Sequence, residues 1–132
     1  MSEKLAESVV HKRLVKALAE YVKKKGFEIT CSSSLGLKEC DKTEDGFIPD
    51  LKAYSNNESL SLYGEAKTED DIDNDHTRAQ IKSFSGRRMK DGKLVPFYLI
   101  VPKGSAHLAW KVIGNMTLTP DEKNSINVLE ES

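Results

Sequence analysis

FIPDLKAYSNNESLSLYGEAK, residues 47–67, reads as two strands around turn residues Ser55, Asn56 and Asn57. Strands disfavour Asp and, less strongly, Glu and Lys. Yet Asp50 stands inside the first run, and Glu65 and Lys67 close the second. Alternation places Leu60, Leu62, Gly64 and Ala66 on one face of the second run, with Tyr63, Glu65 and Lys67 on the other. In the first run Phe47, Leu51 and Ala53 share a face, leaving Ile48, Asp50 and Lys52 opposite. A tight turn at Asn56-Asn57 pairs Asp50 with Tyr63 and makes Glu65 its diagonal neighbour on the same face, about 7–8 Å away. An odd-length loop would send Glu65 to the other face; the even loop is expected.

Upstream, apolar residues from Leu5 to Val22 recur at three- and four-residue steps, which predicts a helix over 3–25 ending at Gly26. FEITCSS (27–33) is a first strand, and a polar connection leads to residue 47. Downstream, the acidic loop TEDDIDND precedes a helix, HTRAQIKSFSGRRMK, that stops near Asp91-Gly92. PFYLIVPKG is a buried fourth strand, and SAHLAWKVIGNM (105–116) a last helix capped by Ser105, with Trp110 in its core face. The tail, 117–132, is open between a short edge strand and a loose end. A meander of three strands, then a strand reached through a helix, predicts a single α/β domain over 1–132: a mixed sheet flanked by helices.

The totals narrow the class. A chain of 132 residues suffices for one domain with a real core. Its net charge of -1 counts against a protein that coats DNA passively. It does not count against an enzyme whose acidic metal site offsets a basic groove. Cys31 and Cys40 lack CxxC spacing and are read as free thiols rather than a disulfide. His11, His76 and His107 complete no zinc pattern. With no signal-peptide core and no run near the roughly 18 apolar residues of a membrane span, a soluble cytoplasmic protein is expected.

Acid-x-Lys occurs four times, so the pattern alone says little. Only Glu65-Ala66-Lys67 ends an alternating strand. Two readings are open: a surface salt bridge, or a site in which two carboxylates hold a divalent cation while the lysine orients water.

Pro49-Asp50, fourteen residues, then Glu65-Ala66-Lys67 resembles the PD-(D/E)xK nuclease superfamily, closest to its RecB-type and Holliday-junction-resolvase-like members. The resemblance spans about residues 3–102 and implies a restriction-endonuclease-like core. It implies a metal-dependent endonuclease, with DNA the expected substrate and a 5′-phosphate product. Mg²⁺, or Mn²⁺ in its place, would be held by Asp50, Glu65 and the Ala66 carbonyl, with Lys67 positioning the attacking water. Gln80, with Phe84 four residues on, is similar to the glutamine of the RecB-type signature; the alternative is an exposed helix residue. Glu7, with Glu3 as its rival, resembles the family's helix-borne metal-proximal glutamate. Arg87, Arg88 and Lys90 are candidates for phosphate contact or a solvated helix end. Leu108, Trp110, Val112 and Ile113 serve either a homodimer interface or the cover of the sheet. The rival function is a non-catalytic module of a phage or mobile element that keeps the fold.

Overall fold

A computed structural model describes residues 8–132. Glu7 and Glu3 lie outside the described residues. Helix α1 (Val9–Lys24) opens on Ser8, whose side chain accepts the His11 N–H at 3.0 Å. It closes through Gly26, at φ +95°, with Gly26 N–H on the Lys23 carbonyl and Phe27 N–H on that of Val22. Its stripe of Leu14, Val15, Leu18, Ala19 and Val22 is buried. Val9, placed on the stripe by its spacing, is exposed, and Tyr21 sits at the rim beside Tyr98.

Among the described residues five strands lie side by side in chain order: β1 (Glu28–Cys31), β2 (Leu51–Ser55), β3 (Leu60–Ala66), β4 (Phe97–Val101) and β5 (Ile126–Glu130). The first two pairings are antiparallel and the last two parallel. Parallel neighbours need crossovers. Helix α2 (Asp75–Ser85) supplies one, and α3 (Ala106–Gly114) with α4 (Pro120–Asn124) the other. The α1 stripe packs on Leu51, Ala53, Leu62, Ala66 and Ile100. Ile81 and Phe84 of α2, with Ala109, Val112 and Ile113 of α3, cover the alternate residues Phe97, Leu99 and Val101. The expected mixed sheet flanked by helices is therefore present, and the tail is ordered as an edge strand. A capping box, Thr119 with Glu122, starts the short α4 that aims it.

Gly64 sets how closely α1 approaches. A Cβ there would stand 2.7 Å from Leu18 Cδ2 and 2.9 Å from Leu51 Cδ1.

Several expectations are corrected. Helix α2 ends at Ser85, not near Asp91, because the segment after it turns back on itself: Arg88 bridges Leu94, and Val95 N–H reaches the Arg87 carbonyl. Ser105 makes no side-chain cap; Glu130 Oε2 in β5 accepts the Ala106 N–H at 2.9 Å instead. Trp110 is 45% exposed, while Val112 and Ile113 are core, which leaves less apolar surface for an interface than the sequence suggested. Residues 47–50 precede β2, so Phe47 escapes the alternation and packs with the α2–α3 cluster rather than with Leu51.

Cys31 and Cys40, read as free thiols, form a disulfide. Ser32 N–H on the Lys38 carbonyl folds the intervening loop back along β1 and leaves the two Cα atoms 5.1 Å apart, within reach of a bridge. The expectation of a reducing cytoplasm loses the support it took from free thiols. Among the described residues no helix is long and apolar enough to cross a membrane.

Candidate active site

Because β2 and β3 run antiparallel, the chain enters β2 where β3 ends. Asp50 therefore meets Glu65 there. The turn spans Asn56 to Ser59 and is closed by the pair Ser55–Leu60, so Lys52, not Asp50, faces Tyr63. This loop is even, as expected, and the parity holds. Its extra two residues move Asp50 from diagonal neighbour of Glu65 to direct neighbour.

The two carboxylates are held by a reciprocal clasp. Asp50 N–H donates to Glu65 Oε1 at 3.0 Å, and Ala66 N–H donates to Asp50 Oδ2 at 2.8 Å. Gln80, in the second turn of α2, is buried and donates Nε2–H to Glu65 Oε2 at 3.2 Å. Lys67 follows β3, its Nζ 3.8 Å from the same oxygen and its side chain only 12% exposed. Asp50, Glu65, Lys67 and Gln80, singled out from sequence, thus converge at one place. The exposed-residue alternative for Gln80 is corrected by its burial.

Glu65 is the electrostatic focus. Burial first, then the Asp50 charge, pushes its carboxyl well above the usual range; Lys67 and the Asp50 N–H pull the other way. Lys67 brings a positive charge 3.8 Å from Glu65. Gln80 Oε1 is buried with no hydrogen-bond partner among the described residues, an arrangement that costs about 1–3 kcal/mol.

These features fit a hard divalent cation. Among the described residues no three His, Cys, Asp or Glu side chains are arranged to hold a metal. That excludes a closed four-ligand cage within them. Two adjacent carboxylates are the sparse oxygen set that suits an ion retaining several waters.

Other candidates lie elsewhere. Arg87 contacts Glu44 at 3.2 Å, Arg88 donates to the Gly92 carbonyl, and Lys90 is exposed. All three precede the N-terminal end of β4, whereas Glu65 and Ala66 pair with Leu99 and Ile100 further along that strand. The hydrogen bonds that hold Arg87 and Arg88 run to Glu44 and to the Gly92 carbonyl rather than to the carboxylates. His76 is exposed and packs edge-on against Phe47.

One residue at the site escaped the sequence reading: His11, whose Nε2 lies 3.0 Å from Asp50 Oδ2. A signal existed. His11 stands three, four and seven residues before Leu14, Val15 and Leu18, the kind of spacing that singles out Glu7.

Comparison with protein-family models, with curated proteins and with solved structures finds no match to this chain.

Proposed function

We propose that the chain is a metal-dependent nuclease that hydrolyses phosphodiester bonds, with DNA as its expected substrate, built on the PD-(D/E)xK plan that its sequence resembles. The observation that carries this reading is the clasp: Asp50 and Glu65 hold one another through backbone amides while Lys67 and Gln80 converge on Glu65 Oε2. An antiparallel meander of three strands continued by a parallel strand through a helix supports the restriction-endonuclease-like form of the fold.

Asp50, Glu65 and the Ala66 carbonyl would hold Mg²⁺, with Mn²⁺ able to substitute. When bound, such an ion stabilises charge on the reacting phosphate and acidifies its water. The protein's own groups do the rest. Asp50 and Glu65 are preorganised by the clasp, so little reorganisation is needed on loading. Lys67 offers a positive charge to the developing oxyanion and orients the attacking water. Gln80 fixes Glu65 Oε2 and keeps a carbonyl oxygen able to accept from water.

The net charge of -1, and the engagement of Arg87 with Glu44 and of Arg88 with the Gly92 carbonyl, favour the rival, a non-catalytic module with the same fold. One panel separates the two: labelled duplex, single strand, flap, four-way junction and RNA, each with and without Mg²⁺, with the wild type and Asp50→Ala. Loss of outer partners of a metal costs about 10–100-fold, so loss of a direct ligand should slow cleavage by at least about 100-fold. No cleavage by the wild type, or equal cleavage by Asp50→Ala, overturns the proposal.

A further inference from the structure

The structure assigns His11 a positioning role: it orients Asp50 for the cation. This rests on the reading of Asp50 and Glu65 as a metal site.

Asp50 Oδ2 receives two partners, Ala66 N–H at 2.8 Å and His11 Nε2 at 3.0 Å. An ionised carboxylate only accepts hydrogen bonds, so His11 Nε2 carries the hydrogen. Two donors on one oxygen fix the plane of the carboxylate and direct a cation toward its other oxygen. Carboxylates that ligate metals are held in this way by outer hydrogen bonds, which set the geometry the ion meets.

The contact is built rather than incidental. His11 sits in the first turn of α1, where Ser8 Oγ accepts its backbone N–H at 3.0 Å. The helix is pinned to the sheet by Leu14 and Leu18, neither of which is exposed at all, and Gly64 permits its close approach. The His11 and Asp50 side chains are 24% and 17% exposed, so water competes only partly for the bond. Helix α1 and the start of β2, distant in sequence, are thereby coupled at the site. His11 itself touches neither substrate nor ion in this scheme.

The test is calorimetric titration of Mn²⁺ alone, at one fixed pH near 7, into the wild type, His11→Ala and His11→Gln. The Gln amide nitrogen reaches about as far as Nε2 and donates, but it brings no ring nitrogen. His11→Ala should weaken Mn²⁺ binding about 10–100-fold, with the metal-free melting temperature little changed, and His11→Gln should recover most of the loss. If His11→Ala does not fold, His11→Asn, whose amide falls short of Oδ2, takes its place with the same expectation. Undiminished binding by the variant lacking the donor overturns the inference and leaves the metal site standing. Equal weakening in the Ala and Gln variants overturns it in favour of direct ligation by the imidazole. A wild type that binds no Mn²⁺ overturns both the inference and the metal-site reading.

Discussion

Glu65 is 4% exposed and lies beside Asp50, a combination that a neutral side chain would make far cheaper to fold. The sign follows from its raised pKa. A carboxyl that binds its proton more tightly when folded favours the folded state at low pH. That advantage is lost as pH rises from the unfolded value, near 4.5, through the higher folded one. In metal-free solution at pH 7, Glu65→Gln should therefore be more stable than the wild type, by at least about 3 °C in melting temperature. Its amide can donate to Gln80 Oε1 once the Gln80 side-chain amide turns over, since Gln80 Nε2 is the atom that now faces position 65. Near pH 4 the difference should vanish, and added Mg²⁺ should stabilise the wild type but not the variant. Equal melting temperatures at pH 7 would show that the Glu65 charge is already compensated. Such a group fits a site that gives up stability for function. Glu65 and Lys67 were legible in the sequence because strand alternation places them without tertiary information. The spacing of His11 on the α1 stripe was legible, but its bond to Asp50 was not, because that bond spans 39 residues and depends on where α1 docks.

Gly64 shows how an element's position is fixed by the absence of a side chain. It is the glycine of β3 on the face that α1 covers, and the space a Cβ needs is filled by Leu18 and Leu51, both fully buried. Gly64→Ala should destabilise by about 1–3 kcal/mol, the usual range for overpacking a close-packed core, measured by denaturant unfolding. A stability equal to wild type would mean that α1 rides looser than its packing indicates. Elements with a strong period were readable: the α1 stripe, β3 and the apolar β4. Their ends were less so. The β2–β3 turn is longer by two residues than Asn56-Asn57 suggested, with Ser59 at φ +49°. The α2 end was missed because Arg87, Arg88 and Lys90 are compatible with helix, and only pairing with the chain before β4 turns them out of it. The cap of α3 comes from Glu130, a residue of the last strand, which no local window contains.

Across the whole molecule, the sheet order puts the end of β3, the entry to β2 and the first turn of α1 at one place, with α2 beside them. Gln80 was singled out only by the resemblance, whereas the mixed sheet flanked by helices followed from the order of elements, and the shared face of Asp50 and Glu65 from a two-residue period. The disulfide did not, because two cysteines nine positions apart carry no spacing signal until β1 and its loop are folded. It ties the loop that leads to Asp50 back to β1, while the buried contact between Thr43 and Ser83 at 2.8 Å ties the same loop to α2. Both ties hold the segment before Asp50, which is what preorganisation of the proposed site requires. Whether this arrangement cleaves nucleic acid is tested most directly by single-turnover cleavage in saturating Mg²⁺, with the wild type and Lys67→Ala side by side. Removal of the Lys67 charge beside Glu65 should slow cleavage by about 100- to 1,000-fold while Mn²⁺ still raises the melting temperature of the variant. Equal rates for the two proteins would contradict a catalytic role for this site.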